Sequence, residues 1–362
     1  MKRRAHAWVA LRALKLVNDS KRADKLVELL SYYVSDVWDG AWLPDTLIVD
    51  VQYGHIFKMD GGLQRLRLGG SQEQLVIEKR MKLPYEQLKE KLSGNRLCLE
   101  YVKKSKVLKG LYRAHPKYGG HLPNRVIAIS QTISDMLKMS DYPLIFYAKR
   151  RRAKAYKGNL MRRKVKDLSA STPVFSPRQI ALMFFIMAHY ITDAHMPLHC
   201  DLRDCRRFKP HLPPKLHGSI EELWESYFPT KEELQISDYS PASIDEIVSK
   251  LPKGSIIQID TNNKYKLSTR IRGMVGDEWR EMVYVTRISY AVSRQLIDEP
   301  FKDAEELREK KGEEFNDVTN CIFHDAVESV AKLWLNAWEE FIGKRTAAPI
   351  HLSNIANPAV KL

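Results

Sequence analysis

The sequence lacks several features that would place it in a familiar class of protein. Its 362 residues contain no uninterrupted run of about 20 apolar side chains, the length that a membrane-spanning helix needs. The four cysteines, at positions 98, 200, 205 and 321, are too few and too scattered for a disulfide framework, so we expect free thiols in a reducing compartment. Neither glycine-rich phosphate-binding motif, GxxxxGKS/T or GxGxxG, occurs. With 44% hydrophobic and 28% charged residues, the composition predicts a globular, soluble chain.

A recognisable signal peptide is also lacking. The N-terminal sequence MKRRAHAWVALRALKLV begins like one, but Arg12 and Lys15 interrupt its apolar part and no small-residue cleavage site follows. We therefore predict an amphipathic helix of the mature protein and a cytoplasmic location.

Acidic residues are scarce between positions 101 and 170, where 18 Lys and Arg accompany only three acids. This segment alone carries a net charge of +15, which equals that of the whole chain. Such a run can bind the phosphates of a nucleic acid or an anionic membrane surface, and it can equally be a solvated loop. The candidate residues for a phosphate-rich partner lie within 149–166 and are Lys149, Arg150, Arg151, Arg152, Arg162, Arg163 and Lys164.

Apolar residues recur at steps of three and four along most of the chain, which is the helical period. Helices are predicted at 10–18, 23–38, 84–93, 124–138, 176–195, 219–228, 242–251, 277–297 and 315–343. Strand-like alternation is confined to 63–70, 74–80 and 255–260. The sequence therefore predicts an all-α, compact multi-helix domain over residues 1–345, with a basic insertion at about 60–170 and a C-terminal tail at 346–362.

Potential metal ligands cluster in MAHYITDAHMPLHCD, residues 187–201. His189 and Asp193 are four residues apart, so on a helix they project from one face and can hold a single ion. His199 follows beyond Pro197, where the chain can fold back over the same point. A further pair with the same spacing, His217 and Glu221, begins another predicted helix. Imidazole nitrogens with carboxylate oxygens are the ligands that zinc takes in catalytic sites.

The pattern H-x3-D-x5-H followed by H-x3-E resembles that of the bacterial zinc-dependent phospholipases C and the related fungal single-strand-specific nucleases. His6 matches the early His of that family, and Asp45 and His55 stand where the family has a bridging Asp and the His that follows it. The resemblance extends from His6 to Glu221 and more loosely to the last predicted helix. The gap between His55 and His189 is longer than in the family and contains the basic insertion.

The resemblance implies an all-helical enzyme that holds up to three zinc ions and hydrolyses phosphodiesters by in-line attack of a metal-bound hydroxide at phosphorus. The implied ligands are Met1, through its α-amino group and carbonyl, and His6, Asp45, His55, His189, Asp193, His199, His217 and Glu221. Asp45 would also orient the hydroxide and accept a proton as general base. His195 would lie behind the ligands or face the substrate, because the nuclease branch also tends to carry a His there.

The substrate stays open at this point. Glu221 as the last ligand favours a phospholipase C-like enzyme, which we rank first, whereas His195 favours a single-strand nuclease or 3'-nucleotidase. The basic segment suits a nucleic acid or an anionic lipid. A third, non-enzymatic interpretation is a zinc-stabilised helical protein that binds RNA or a membrane through residues 149–166.

Overall fold

Helices make up most of the part of the chain that the structure, a computed structural model, describes: residues 1–48, 54–60, 96–105, 113–114, 121–140, 175–207, 210–236, 244–249 and 277–343. They are α1 (Arg3–Ser20), α2 (Asp24–Tyr32), α3 (Val37–Gly40), α4 (Leu43–Thr46), α5 (Leu97–Val102), α6 (His121–Ser140), α7 (Pro177–His195), α8 (Pro197–Cys200), α9 (Leu216–Glu225), α10 (Ile244–Ser249), α11 (Asp277–Leu296), α12 (Ala304–Lys311) and α13 (Glu313–Gly343), with single 3-10 turns at Val34–Asp36 and Leu202–Asp204. The all-α prediction is confirmed for these ranges. The predicted helix at 84–93 and the three predicted strands lie outside the described residues.

Helix α7 lies at the centre of the core, against α1, α3, α6, α11 and α13. It begins as the sequence predicts: the Ser176 hydroxyl accepts from the Gln179 N–H, the Gln179 side chain accepts from the Ser176 N–H, and Pro177 occupies the first turn. It ends at His195 because Met196, which precedes Pro197, is extended. Every residue from Phe184 to His195 is buried, so the polar end of this helix lies inside the protein.

The N-terminal helix α1 is more deeply buried than an amphipathic surface helix. All residues from Ala5 to Leu11 are buried, and the helix packs against α13, α3, α7 and α10. Its arginines and lysines are confined to the remaining positions. The expected helix is therefore present, but its position is inside the fold, where His6 has no exposed surface.

Two helices within the predicted insertion belong to the core. Helices α5 and α6 both pack against α11 and α13, and α6 also packs against α7. The reason is the apolar stripe of α6, in which Val126, Ile129 and Ile133 are buried. That residues from about 60 to 170 form a basic insertion stays a prediction. The basic segment 149–166 and the tail 346–362 lie outside the described residues.

A small strand pairing fixes the segment at 54–60. Strand β1 (Met59–Asp60) pairs antiparallel with β2 (Arg113–Ala114), so that Met59 is opposite Ala114. On its other side Met59 forms a parallel bridge with Asp201, and the N–H of Phe57 donates to the carbonyl of His199 at 3.1 Å. These backbone bonds hold the segment that carries His55 against the chain that follows α8.

No helix in the described ranges is both long enough and apolar enough to cross a bilayer. The four cysteines are unbonded, as predicted.

Candidate metal centre

Asp193, near the end of α7, is the point at which the predicted ligands meet. One carboxylate oxygen, Oδ2, lies 2.8 Å from His55 Nδ1 and 3.1 Å from His189 Nε2. The other, Oδ1, lies 3.3 Å from the α-amino nitrogen of Met1 and 3.4 Å from His6 Nε2. Because His189 and Asp193 are one helical turn apart on α7, both project to the same side.

The donor atoms form three groups, in each of which one atom per residue lies within 4.8 Å of the others. The first donor group is His6, His189 and Asp193, the second is Asp45, His55 and His189, and the third is His199, His217 and Glu221. All eight side chains that the sequence nominates as ligands are therefore members of a donor group. None of the groups found among the described residues contains a cysteine, so Cys200 and Cys205 do not contribute.

The first donor group lies beneath the start of α1. The ring of His6 stacks on that of His189 with 4.1 Å between centroids, and His6 Nε2 lies 3.1 Å from the carbonyl oxygen of Met1. The α-amino nitrogen of Met1 lies 2.7 Å from Glu221 Oε1. Both main-chain polar atoms that the sequence nominated at Met1 thus point into the site.

Helix α9 holds the first residues of the chain in this position. The carboxylate of Glu225 accepts from the N–H groups of Arg4 and Ala5 at the N-terminus of α1. Such carboxylates stabilise a helix N-terminus by satisfying unpaired N–H groups and by complementing the helix dipole. One turn earlier on α9, Glu221 contacts the amine of Met1.

The second donor group contains the most exposed of the predicted ligands, Asp45. Asp45 Oδ1 lies 3.6 Å from both His55 Nε2 and His189 Nε2, and the Asp45 side chain is 30% exposed. His189 is fixed from behind, since its Nδ1–H donates to the carbonyl of Ala41 at 2.7 Å. This bond leaves the Nε2 lone pair of His189 directed at the group.

The third donor group lies where α8 and α9 meet. Glu221 Oε1 is 3.2 Å from His217 Nε2 and 3.5 Å from His199 Nε2. His199 also approaches Asp193 Oδ1 at 3.5 Å, which joins this group to the first. The fold-back beyond Pro197 that the sequence suggested is therefore present.

Neighbouring charges keep two acids of the site ionised, and burial keeps two of its imidazoles neutral. Burial opposes charge on the carboxyl groups of Asp193 and Glu221, but the imidazoles and the Met1 amine around them lower the pKa of both. Burial lowers the pKa of His6 well below its usual value and that of His199 to about 4. Burial also opposes charge on the Met1 amine, yet Glu221 and Asp193 raise its pKa to about 10.

Two residues of the site differ from these in their protonation. Burial would lower the pKa of His217, but Asp204 and Glu221 outweigh it and raise the pKa to about 9. Burial and the neighbouring Asp193 raise the pKa of Asp45, against the opposing effect of His189. Metal binding at the third donor group would therefore release a proton from His217.

The chemistry of the donor set fits a metal. Imidazole nitrogens and carboxylate oxygens face one another in each group, as His6 Nε2 does Asp193 Oδ1 at 3.4 Å and His199 Nε2 does Glu221 Oε1 at 3.5 Å. Mixed imidazole and carboxylate donors suit zinc better than magnesium or calcium, which prefer oxygen alone.

His195 belongs to a different buried network. Its Nε2 lies 2.8 Å from the hydroxyl of Ser329 on α13, and burial with the nearby Arg96 lowers its pKa to about 3. His195 is a member of none of the donor groups, and its role behind the ligands or toward the substrate stays a prediction.

A fourth cluster, formed by His324, Asp325 and Glu328, was not nominated from the sequence, and it has an internal explanation. Asp325 accepts from the N–H groups of Leu97 and Cys98 at the start of α5. Glu328 pairs with Lys332 at 2.6 Å. The cluster is a network of capping bonds and ion pairs that ties α5 to α13.

Sequence reasoning missed the residues that support the ligands. Asp204 contacts His217, Lys58 contacts Asp204, and the Ala41 carbonyl contacts His189. None of them stands at a helical spacing from its partner, so no pattern along the chain indicates them. The basic residues Lys149, Arg150, Arg151, Arg152, Arg162, Arg163 and Lys164 lie outside the described residues.

We compared the chain with known protein families, curated proteins and solved structures. No protein-family model, no curated protein and no solved structure matches the sequence or the fold.

Proposed function

We propose that the protein is a zinc-dependent phosphodiester hydrolase of the phospholipase C-like kind. One observation carries the proposal: ligand types from five separate stretches of chain, 1–6, 45, 55, 189–199 and 217–221, meet in three adjoining donor groups. Asp193 contacts members of all three. Convergence of this kind is not needed for a stable helical core, since ionisable groups are costly to bury.

The residues would divide the metals between them by donor group. His6 and Asp193, with the amine and carbonyl of Met1, would hold one zinc. Asp45, His55 and His189 would hold a second, again with Asp193. The third donor group, His199, His217 and Glu221, would hold the third. Zinc bound in this way lowers the pKa of water and stabilises negative charge on phosphoryl oxygens.

The exposed edge of the site indicates where a substrate enters. The side chains of Asp45 and His217 are 30% and 23% exposed, whereas those of His6 and His189 are fully buried. A phosphodiester would therefore approach along the line between the second and third donor groups. Asp45, the most exposed carboxylate of the donor groups, would orient an attacking water and accept its proton, and a raised pKa suits that role.

The test combines metal content with two substrates. Metal-replete protein should contain close to three zinc ions per chain by elemental analysis and should release phosphorylated headgroup from phospholipid vesicles. Removing zinc with a chelator should abolish the release, and adding zinc should restore it. One zinc or none, with no hydrolysis of either vesicles or single-stranded DNA, would contradict the proposal.

The same assay decides between the phospholipase and the nuclease. Hydrolysis of single-stranded DNA in place of vesicles would favour the nuclease, which the basic segment 149–166 also suits. Neutralising Lys149, Arg150, Arg151 and Arg152 should then weaken oligonucleotide binding and reduce its salt dependence. Zinc content without hydrolysis of either substrate, together with binding of RNA or vesicles, would favour the non-enzymatic alternative.

A further inference from the structure

Asp204 is a carboxylate of intermediate exposure that belongs to no donor group, yet it contacts His217, a member of the third donor group. It ends the 3-10 turn Leu202–Asp204, and its Oδ2 lies 3.1 Å from His217 Nδ1. The same oxygen lies 2.7 Å from the ammonium of Lys58, whose side chain is 3% exposed. Lys58 also donates to the carbonyl of Leu198.

We propose that Asp204 is a positioning residue for His217 and that Lys58 holds Asp204 in place, an inference that rests on the zinc-binding part of the proposed function. A carboxylate can only accept a hydrogen bond, so the contact requires the Nδ1 of His217 to carry a hydrogen. Nε2, which faces Glu221 at 3.2 Å, is then the nitrogen that is free to bind a metal. Ligand histidines are commonly oriented by a carboxylate at the other ring nitrogen.

Lys58 connects Asp204 to the segment that carries His55. It follows His55 by three residues, and the intervening Phe57 is bonded through its N–H to the carbonyl of His199. The ammonium of Lys58 neutralises Asp204 and is fixed by the Leu198 carbonyl, one residue before His199. A single buried cation therefore connects the segment that carries the second donor group to the third.

The experiment measures zinc affinity in Asp204→Ala and Asp204→Asn, by competition with chelators of graded strength. We expect Asp204→Ala to weaken binding of one of the zinc ions by roughly 10- to 100-fold and to leave the others unchanged. Asp204→Asn keeps an acceptor oxygen, so its effect should be smaller. Asp135→Asn is the matched control, because Asp135 also pairs with a lysine, Lys138 at 3.2 Å, but is exposed on α6; its zinc affinity should equal that of the wild type.

A second readout is independent of both zinc and activity. The Nδ1–H of His217 should be protected from exchange with water in wild-type protein and exposed in Asp204→Ala, as observed by proton–nitrogen NMR. If Asp204→Ala does not fold, as judged by circular dichroism, Asp204→Leu, which also removes the acceptor oxygen but fills more of the space, supplies both measurements.

Unchanged zinc affinity with a protected Nδ1–H in the variants would overturn the proposal. If wild-type protein binds no zinc, the proposed function fails on its own, and the NMR result alone decides whether Asp204 positions His217. Loss of protection would then support the positioning role, and retention would refute it.

Discussion

Asp193 contacts members of all three donor groups. Its two oxygens divide between His55 and His189 on one side and Met1, His6 and His199 on the other. In the proposed zinc site such a carboxylate would contribute to more than one metal, whereas Glu221 faces one donor group and the Met1 amine.

This difference yields a prediction for Asp193→Asn and Glu221→Gln, two substitutions that preserve shape and remove charge. We expect Asp193→Asn to lose two of three zinc ions and Glu221→Gln to lose one, as measured by elemental analysis. In the metal-free form, Asp193→Asn should also lower the free energy of unfolding by about 3 to 5 kcal/mol, because the buried Met1 amine loses the charge of one of its two carboxylate partners. Equal zinc loss in the two variants would contradict a bridging role.

The sequence indicated which of the proposed ligand residues lie together, but it did not indicate the residues that contact them from behind. Spacings of four residues on a helix fix which side chains share a face, which is why His189 and Asp193, or His217 and Glu221, could be paired from the sequence. The contact between Asp204 and His217 depends on how a turn packs against α9. Helix geometry also separates His195 from Asp193, because a helix turns by about 200° over two residues and so directs the two side chains to opposite faces.

Among the elements, the close approach of α3 to α7 determines how the second donor group is supported. A Cβ atom at Gly40 would lie 2.8 Å from the Cβ of Phe185, so no larger residue fits without movement. The next residue, Ala41, supplies the carbonyl that orients His189. The absence of a side chain at Gly40 therefore sets the distance between that carbonyl and α7.

Gly40→Ala should destabilise the protein by about 1 to 3 kcal/mol through overpacking, measured by denaturant unfolding. It should also weaken zinc binding, because the Ala41 carbonyl must move with α3. The matched control is Gly218→Ala on α9, where an added Cβ meets nothing within 4 Å. That variant should be unchanged or more stable by up to about 1 kcal/mol. Similar losses in both variants would show that the approach of α3 to α7 is not the cause.

The element boundaries show where local signals suffice. Ser176 with Pro177 at the start and Pro197 after the end predicted α7 closely, because each acts on its own neighbours. Helix α12 has the sequence AEELREKK and was missed, since it contains almost no apolar stripe. It is held by the Asp303 cap and by ion pairs such as Lys311 with Asp298 at 2.9 Å. Ion pairs of that kind produce no hydrophobic periodicity from which a helix could be predicted.

At the scale of the whole molecule, buried imidazoles make the metal-free protein sensitive to acid. The pKa of His195 is lowered to about 3 and that of His199 to about 4, in both cases through burial, whereas an unfolded His titrates near 6.5. Below that value the unfolded state binds protons that the folded state does not, so stability falls as the pH falls. His217 acts in the opposite direction: its pKa of about 9 gives stability that is present below pH 6.5 and lost as the pH rises through about 9.

We therefore expect the unfolding free energy of zinc-free protein to decline on both sides of neutrality, as measured by denaturant titrations from pH 4 to 10. Each buried neutral imidazole should contribute about 1.4 kcal/mol per pH unit on the acid side. His195→Gln should make the acid limb shallower and leave the alkaline limb unchanged. The exposed His211 provides the control, since His211→Gln should alter neither limb. An acid limb that is the same in all three proteins would refute this origin of the pH dependence.

The packing of α1 against α13 also bears on how the chain acquires its structure during synthesis. Helix α1 ends at Ser20 and α13 begins at Glu313, so the ribosome adds about 290 residues between the two partners. At roughly 5 to 20 residues per second, the apolar surface of α1 waits about 15 to 60 s for the helix that covers it. A transcript truncated before Glu313 would yield a product in which that face of α1 is never covered by α13.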